Sequence, residues 1–363
     1  ACMMVESKRP YARGAHPHHM SVRVGILGAT GAVGQRFIQL LQDHPTFNLV
    51  AVTASESSVG KRYDDAAKWR IETPIPEEIG SMVVTETTPE ALPSSVDLLF
   101  SSLPSSVAAE VEPDFLEAGY VISSNSSNDR MASDIPLTIP EINPGHLKLI
   151  EQQRINRGWD GALVKNPNCS TITMMPTLAA LQEFEIDSVH VSTLQAVSGA
   201  GYSGVTSMEI IDNAIPHIGG EENKMESESR KILGSFTGAN VELHSMDVIA
   251  SCNRIPTLDG HLENVFVETS QSVSADEAAD AMQSYSGTSL YSSPEQLINV
   301  FDDPIRPQPR LDRARADGMQ ISVGGIQQTA TGIKYNCLAH NTIRGAAGAS
   351  LLNAELLVDA GWV

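Results

Sequence analysis

Residues 22–34 read VRVGILGATGAVG, and this stretch decides the fold of the first half of the chain. Its first six residues are mostly β-branched or small, which is typical of a buried parallel strand. An apolar helical pattern follows over 37–41 and a second apolar run over 48–54, so a strand-turn-helix-strand unit closes within about thirty residues. Further strands are predicted at 96–101 and 120–123, with a helix between them. This alternation predicts a doubly wound α/β fold around a parallel sheet.

The turn between the first strand and the first helix has the glycine spacing of a dinucleotide-binding site. Gly28, Gly31 and Gly34 let the backbone turn tightly and approach a pyrophosphate, while the N–H groups and dipole of the helix N-terminus attract the anion. Glycines also occur in purely structural turns, but the strand before them and the helix after them favour the binding site. The cofactor-binding residues predicted from this turn are Gly28, Thr30, Gly31, Ala32, Val33 and Gly34.

The end of the second predicted strand decides which dinucleotide binds. NAD-binding proteins usually place an acidic residue there, which hydrogen-bonds the ribose 2′-hydroxyl. This chain instead has a run of hydroxyls and cations that suits a 2′-phosphate, formed by Ser55, Ser57, Ser58, Lys61 and Arg62. Glu56 lies within the run and is either the acidic partner of NAD or a solvent-facing residue. We therefore predict NADP as the cofactor.

The second half of the chain has a different pattern, with longer strands and fewer helices. Such a pattern is typical of an α+β domain with a largely antiparallel sheet. Strands are predicted at 189–197, 245–252, 262–269, 319–326 and 333–339, and helices at 170–184, 204–214, 221–233 and 275–284. A final helical segment over 342–358 is expected to pack back on the first domain. We thus predict a Rossmann domain of residues 20–165 plus 342–363, and a catalytic and oligomerisation domain of residues 166–341.

The composition excludes several classes of function. A net charge of −20 argues against a nucleic-acid partner, and no apolar run approaches the ~18 residues of a membrane span. No two of the four cysteines have CxxC spacing, so the sequence predicts no metal site. Without a secretory signal, free thiols favour a reducing, cytoplasmic setting. Residues 1–19 are polar and are expected to form a disordered extension before a start at Met20.

Cys169 is the candidate nucleophile. It lies in the motif NCS at 168–170, directly before an apolar helical run, so its sulfur is expected at a helix N-terminus, where the dipole favours the thiolate. Cys252 and Cys337 lie in apolar strands and fit a structural role better. His261 is the candidate proton partner, because imidazole titrates near neutrality, although a histidine at a strand edge often only donates a hydrogen bond.

Several motifs in register resemble the aspartate-semialdehyde dehydrogenase family. They are GATGAVG at 28–34, NCS at 168–170, QAVSGAG at 195–201, EENK at 221–224 and the segment from Arg254 to His261. The likeness runs in order from about Met20 to the C-terminus, and its spacing is closer to the archaeal and fungal branch than to the bacterial one. Each motif alone is weak evidence, whereas their order and register make the match specific.

The resemblance implies a role for each matching residue. Cys169 would attack the substrate carbonyl and carry the acyl group as a thioester, His261 would be the acid/base, and Gln195 would orient the substrate. The other substrate contacts would be Arg254 with the α-carboxylate, Glu221 with the amino group, and Arg130 and Lys224 with the phosphate. The cofactor site would also include Leu103, Ser198, Gly199 and Asn341, the last near the nicotinamide. Taken singly, each of these charged residues could equally be a solvated surface ion.

The implied reaction is the reduction of L-aspartyl-4-phosphate by NADPH to L-aspartate 4-semialdehyde and phosphate, catalysed by a homodimer or homotetramer in the biosynthesis of lysine, threonine, methionine and isoleucine. Ser57 stands where many relatives carry an arginine for the 2′-phosphate, which weakens the case for NADP. Malonyl-CoA reductase and N-acetylglutamyl-phosphate reductase use the same chemistry, but their substrates offer no free ammonium group to Glu221. A non-catalytic dinucleotide-binding regulator is an alternative of another class, which the presence of Cys169 and His261 disfavours.

Overall fold

The computed structural model describes residues 21–363. The predicted extension of residues 1–19 and the start at Met20 lie outside the described residues. Within them, the chain forms two main sheets, of five and six strands, and a small two-stranded ribbon. No helix in this part of the chain is long and apolar enough to cross a bilayer.

The first sheet is parallel and follows the predicted alternation of strands and helices. Its strands are β1 (Val22–Leu27), β2 (Phe47–Val52), β3 (Leu98–Ser101), β4 (Val121–Ser124) and β5 (Ala162–Lys165). Its helices are α1 (Ala32–Leu41), α2 (Tyr63–Ala66), α3 (Glu77–Gly80), α4 (Ser105–Glu117) and α5 (Leu149–Arg157). The strands lie in the order β2-β1-β3-β4-β5. The order changes direction between β1 and β3, which is where doubly wound sheets bind nucleotides.

Burial of the first sheet agrees with its composition. Strands β3, β4 and β5 are buried along their whole length, as their near-continuous apolar runs predict. Phe37 of α1 stacks on Phe100 of β3 with ring centroids 4.7 Å apart. This contact buries the apolar face of α1 against the sheet. The helix begins at Ala32, within the glycine-rich turn.

The second sheet is mixed and mainly antiparallel. Its strands, together with the ribbon strands β7 and β8, are β6 (Ile186–Gln195), β7 (Ser235–Phe236), β8 (Val241–Glu242), β9 (Asp247–Arg254), β10 (His261–Thr269), β11 (Ile298–Phe301), β12 (Ile321–Gln328) and β13 (Gly332–Ala339). Its helices are α6 (Cys169–Ala180), α7 (Ser207–Ile210), α8 (Glu221–Ile232), α9 (Ala275–Ser284) and α10 (Pro309–Asp312). The order is β11-β12-β13-β10-β6-β9, with only the two outermost pairs parallel. Helix α6 packs on β10 and β13 and against α8.

The helix predicted at 204–214 is mostly wrong, because only the four residues of α7 are helical. The surrounding segment is largely exposed, and the side chains of Met208 and Ile211 face solvent. A short helix needs an apolar face packed on a core, since its own hydrogen bonds hardly stabilise it in water. Without such a core the segment stays in turns. The other elements predicted in the second half form within a few residues of their expected positions.

The C-terminal segment returns to the first sheet. The last helix, α11 (Gly348–Asp359), follows a wide helical turn at Ile343–Ala347. Leu351 and Leu357 share one buried apolar cluster with residues of β1 to β5. The chain from β13 to α11 therefore passes between the two sheets and carries Asn341 at their boundary.

Candidate active site

Cys169 is the first residue of α6, and the preceding residue caps this helix. The side-chain Oδ1 of Asn168 accepts hydrogen bonds from the backbone N–H groups of Ser170 (2.9 Å) and Thr171 (3.2 Å), as an N-cap does. The Sγ of Cys169 lies 3.2 Å from the Nε2 of His261. A sulfur at a helix N-terminus beside an imidazole is the arrangement of a nucleophile with its acid/base partner.

The backbone fixes the tautomer of His261. Its Nδ1 accepts a hydrogen bond from the N–H of Ala196 at 3.1 Å, so the neutral imidazole carries its proton on Nε2. That N–H faces the sulfur of Cys169. His261 is therefore arranged to donate a hydrogen bond to a thiolate or to a developing oxyanion.

The surroundings of this pair keep both groups neutral before a substrate binds. Burial raises the pKa of the Cys169 thiol to about 12, and Glu221 adds to the shift, whereas Arg254 and Arg130 oppose it. Burial, with a smaller contribution from the Arg254 cation, lowers the pKa of His261 to about 3. Both shifts arise mainly because a charge is poorly solvated in a largely buried site, of which Cys169 is the partly exposed member. At neutral pH the pair is thus a thiol and a neutral imidazole.

Three predicted site residues lie side by side on neighbouring strands. Gln195 ends β6 and pairs with Arg254, which ends β9. His261 begins β10, and the register between β10 and β6 makes it the neighbour of Gln195. Cross-strand neighbours share one face of a sheet, and all three side chains are buried. The strand ends therefore present an imidazole, an amide and a guanidinium in a row.

Arg254 is a buried cation that forms no ion pair within residues 21–363. Its Nη1 donates to the carbonyl of Ala196 at 2.7 Å, and its side chain is 7% exposed. A buried guanidinium is costly unless an anion pairs with it. The geometry therefore leaves a place for a carboxylate of a ligand, beside the buried amide of Gln195.

Helix α8 brings Glu221 and Lys224 to the same site. The carboxylate of Glu221 accepts a hydrogen bond from the side-chain Nδ2 of Asn168 at 2.7 Å, so it lies against the cap of the helix that carries Cys169. The Nζ of Lys224 lies 3.4 Å from the Oε2 of Glu221, and the lysine side chain is 35% exposed. Together they offer a fixed anion and a more mobile cation to a ligand.

Arg130 reaches the site from the loop that follows β4. Its Nη1 donates to Glu228 at 2.9 Å, and its Nη2 donates to the carbonyl of Asn125 at 2.6 Å. Its Nε–H is also buried, and no residue in the described part of the chain accepts from it. A buried donor without an acceptor is unfavourable. The unpaired Nε–H therefore indicates a place for an anion such as phosphate.

The glycine-rich turn forms the cradle that the sequence predicts. Gly28 has a φ of +81°, which favours glycine, and it lies next to Leu103. A Cβ on Gly34 would lie 2.4 Å from the carbonyl oxygen of Gly28, so α1 can approach the turn only without a side chain here. Gly31 precedes α1 and supplies no side-chain cap, which leaves the N–H groups of the first helical turn to an anion. These residues fit the pyrophosphate of a dinucleotide.

The serines predicted to bind the 2′-phosphate lie together after β2. The hydroxyls of Ser55 and Ser57 are 3.1 Å apart, and Ser58 is buried next to them in the same turn. The Nζ of Lys61 donates to the carbonyl of Ser57 at 2.7 Å. The turn thus presents hydroxyls and one cation at the end of β2, where the adenine ribose of a dinucleotide lies in this fold.

The two candidate cations of this segment differ in what they contact. Both oxygens of Asp64 accept hydrogen bonds from Arg62, at 3.0 and 2.7 Å, whereas Lys61 has no carboxylate partner in the described chain. Glu56 is exposed. Lys61 is therefore the cation best placed for a 2′-phosphate.

Ser198, Gly199 and Asn341 lie next to the segment from Arg254 to His261. The Nδ2 of Asn341 donates to the hydroxyl of Ser198 at 2.8 Å, and its Oδ1 accepts from the N–H of Gly260 at 2.8 Å. A Cβ on Gly199 would lie 2.8 Å from the Nη1 of Arg254. The backbone of this loop therefore approaches the substrate row closely.

Two further buried charges of α8 belong to the site, although the sequence pattern does not single them out. The Oε2 of Glu228 accepts from the backbone N–H of Asn168 at 2.6 Å, and the Nζ of Lys231 donates to three carbonyls of the loop 130–135 at 2.7–2.8 Å. They follow Glu221 by seven and ten residues, which is helical spacing on one face. This spacing is the sequence signal from which Glu228 and Lys231 could have been predicted.

The chain matches two family models. Residues 23–150 match the model described as semialdehyde dehydrogenase, NAD binding domain, and residues 178–344 match the model described as semialdehyde dehydrogenase, dimerisation domain. The first match covers strands β1 to β4 of the parallel sheet, except Val22, with the glycine-rich turn. The second covers all six strands of the mixed sheet, with Gln195, Arg254 and His261.

The chain is similar over nearly its whole length to proteins named aspartate-semialdehyde dehydrogenase. An aspartate-semialdehyde dehydrogenase of Archaeoglobus fulgidus is 50% identical over 340 residues, which is 93% of this chain and 98% of the relative. One from Schizosaccharomyces pombe is 45% identical over 352 residues, which is 93% of this chain and 98% of the relative. The crystal structure of aspartate semialdehyde dehydrogenase with NADP from Candida albicans is 40% identical with a TM-score of 0.87, and covers 94% of this chain and 100% of that chain. The motif spacing predicts this likeness to archaeal and fungal proteins.

Proposed function

Because this chain belongs to the aspartate-semialdehyde dehydrogenase family, we propose that it reduces L-aspartyl-4-phosphate to L-aspartate 4-semialdehyde and phosphate with NADPH. The observation that carries the proposal is the contact of Cys169 with His261 at a helix N-terminus, 3.2 Å from sulfur to nitrogen. The buried guanidinium of Arg254, which forms no ion pair among residues 21–363, lies in the same row of strand ends. A nucleophile and a carboxylate place together suit an amino-acid acyl phosphate.

In the first half-reaction the sulfur of Cys169 bonds to the acyl carbon, and the bond from this carbon to the phosphate oxygen breaks. The proton of the thiol leaves as the carbon–sulfur bond forms and ends on the departing phosphate, and the Nε2–H of His261 stabilises the negative charge that develops beside it. Phosphate is released, and the product on the protein is a thioester on Cys169.

In the second half-reaction NADPH, when bound, would supply a hydride equivalent for the acyl carbon. The glycine cradle at 28–34 would hold its pyrophosphate, with Asn341 and Ser198 near its nicotinamide. The Nε2–H of His261 donates a hydrogen bond to the substrate oxygen and to the departing sulfur, and the proton that restores the thiol comes from solvent. The carbon–sulfur bond breaks, the aldehyde is released and Cys169 returns to its starting form.

The charged residues suit the three ionic groups of the substrate. We propose that Arg254 binds the α-carboxylate, because its planar fork matches a carboxylate, and that Glu221 binds the ammonium group. Arg130, through its unpaired Nε–H, and Lys224 would bind the phosphate. Glu221 argues against a malonyl-CoA or N-acetylglutamyl phosphate substrate, since neither carries an ammonium group, and the reactive pair argues against a non-catalytic regulator.

We further propose that the protein is a homodimer or homotetramer that associates through the open face of the six-stranded sheet. Phe266, His190 and Ile249 form a row across β10, β6 and β9 on this face, and all three are exposed. Exposed apolar side chains such as Phe266 and Ile249 on a sheet face are typical of a subunit interface. The match to a dimerisation domain supports this. A solution mass of one chain would contradict it.

The division of the chain into 20–165 plus 342–363 and 166–341 is also a proposal, supported by the packing of α11 on the first sheet. A reducing compartment such as the cytoplasm suits the reaction, because Cys169 must stay a free thiol. Cys252 and Cys337 are free as well.

The test of the reaction is NADP reduction by purified protein supplied with aspartate semialdehyde and phosphate. We expect phosphate-dependent turnover that falls by about 10⁴-fold or more in Cys169→Ala, as expected on loss of a covalent nucleophile. Cys252→Ala is the matched control and should retain activity, because Cys252 is buried in β9. Folded, NADP-binding protein without phosphate-dependent turnover would overturn the proposal.

A further inference from the structure

Glu228 is a buried carboxylate whose two oxygens accept hydrogen bonds from two different residues of the site. It lies on α8, about two helical turns after Glu221, and is 2% exposed. Its Oε1 accepts from the Nη1 of Arg130 at 2.9 Å, and its Oε2 accepts from the backbone N–H of Asn168 at 2.6 Å. One carboxylate thus connects the guanidinium at the anion place to the residue that precedes Cys169.

The contact with Arg130 sets the direction of the Nε–H donor of its guanidinium. Glu228 holds Nη1, and the carbonyl of Asn125 holds Nη2 at 2.6 Å. Because a guanidinium is planar, fixing two of its nitrogens also fixes the direction of the third N–H bond. The Nε–H, which has no partner among residues 21–363, is therefore held in one direction before any anion arrives.

The contact with Asn168 sets the position of the nucleophile. The side chain of Asn168 caps α6 through Oδ1 and donates to Glu221 through Nδ2, and its backbone N–H donates to Glu228. Two carboxylates on one face of α8 therefore hold both the side chain and the backbone of this residue. Since Cys169 is the next residue, a shift of Asn168 would move the sulfur.

We propose that Glu228 is a positioning residue that couples anion binding at Arg130 to the placement of Cys169, so that a bound phosphoryl group and the nucleophile are held in register. The inference rests on the proposed function for the identity of the anion.

If Glu228 acted only through its negative charge, the expected effect of neutralising it on the reactivity of Cys169 would be the opposite. Removal of an anion near a helix N-terminus favours a thiolate there, so a neutral replacement would then make Cys169 more reactive.

The test compares Glu228→Gln with wild-type protein and with Glu226→Gln. Glutamine keeps the shape of the side chain but has one acceptor oxygen instead of two, so one of the two contacts is lost. Glu226 is the matched control, because it lies on the same helix and also accepts from a backbone N–H, that of Ala250 at 3.3 Å. The readouts are the KM for phosphate, the KM for the aldehyde, and the rate of Cys169 alkylation by iodoacetamide with and without inorganic phosphate.

We expect Glu228→Gln to raise the KM for phosphate by about tenfold or more, the size of one lost charge-assisted hydrogen bond. The KM for the aldehyde should stay near that of wild type, because Arg254 is untouched. Inorganic phosphate should change the alkylation rate of Cys169 in the wild-type protein and in Glu226→Gln, and leave it unchanged in Glu228→Gln.

Two results would overturn the proposal. One is an unchanged KM for phosphate in Glu228→Gln, whether or not its Tm falls, which would leave a structural role alone. The other is faster alkylation with the phosphate response intact, which would show a purely electrostatic role. If the wild-type protein shows no turnover, the proposed function fails, while the alkylation experiment still tests the coupling. If Glu228→Gln does not bind NADP, Arg130→Lys, which keeps the charge and loses the fork, replaces it.

Discussion

The two ends of the site are built in opposite ways. The cofactor end comes mainly from one short stretch, 28–34, and acts through backbone N–H groups and close approach. The acyl end, which contains Cys169, His261, Arg254 and Glu221, is formed by side chains far apart in sequence. The contact between Cys169 and His261 alone joins residues 92 positions apart. The difference teaches that a backbone cradle is encoded locally, whereas a set of convergent charges depends on how helices and strands pack.

The two ends also differ in burial. The residues after β2, such as Ser57 and Lys61, face solvent, where charges are screened and a single contact contributes little. Arg254 and Glu221 are buried, where a charge without a partner is costly. Substitutions at the acyl end are therefore expected to have the larger effects.

The largest expected effect is the pH dependence of Cys169 reactivity. Because burial raises the pKa of its thiol to about 12, and only the thiolate reacts, alkylation by iodoacetamide should accelerate about tenfold per pH unit from pH 7 to 10. Cys169→Ala supplies the background from the other three cysteines. A plateau that begins near pH 6 would show a preformed thiolate–imidazolium pair and contradict this account of the acyl end.

Arg254→Lys is expected to have the next largest effect. Lysine keeps the charge but cannot bind a carboxylate bidentately, so the KM for aspartate semialdehyde should rise by about 10- to 100-fold. Binding of NADP, followed by fluorescence, should be unchanged. Arg62→Lys at the cofactor end is the control, and equal losses in the two variants would remove the distinction between the ends.

Lys61→Ala is expected to change cofactor preference modestly. Loss of a cation next to Ser57 should raise the KM for NADP by about tenfold or less, because the site is exposed, and should leave the KM for NAD unchanged. Arg62→Ala should have a smaller effect, since its guanidinium is engaged by Asp64. If Arg62→Ala loses more NADP affinity than Lys61→Ala, the assignment of the 2′-phosphate cation is wrong.

The smallest effect on activity is expected for Glu263→Gln. Glu263 follows His261 by two residues on β10 and is fully buried, and its Oε1 has no partner among residues 21–363. Burial raises the pKa of this carboxyl well above its usual range, so folding favours its protonated form. Glutamine resembles the protonated acid, and activity at pH 7 should change by about twofold or less.

The pH dependence of the Tm of Glu263→Gln shows whether folding raises or lowers the pKa of Glu263. The unfolded chain releases the Glu263 proton above about pH 4.3 while the folded protein keeps it, so wild-type stability is lost as pH rises above that value. The Tm of the variant relative to wild type should therefore increase between pH 5 and 8. Glu268→Gln is the control, since hydrogen bonds from Ser188 and Thr331 lower the pKa of Glu268 and no trend is expected. A falling difference would contradict a neutral Glu263.

The sequence was most informative where structure is local. The strand-turn-helix unit of residues 22–52, the capped start of α6 at Cys169 and the helix at 275–284 all follow from short-range patterns, and all three form. The helix at 204–214 was wrong because helical propensity was read without knowing that its apolar side chains would find no core. The residues of the candidate site were predicted from motifs in register, whereas the contacts between these residues could not be predicted.

By itself the sequence determined the parallel α/β first sheet, the glycine-rich turn and the candidate nucleophile, because each depends on neighbours a few residues away. Only the tertiary structure decided that the Ala196 N–H fixes the tautomer of His261, and that Glu228 joins Arg130 to Asn168. Those contacts join elements whose sequence separation carries no signal. The physical reason is that a buried polar group must find its partner wherever packing places one, and that partner is set by the fold as a whole.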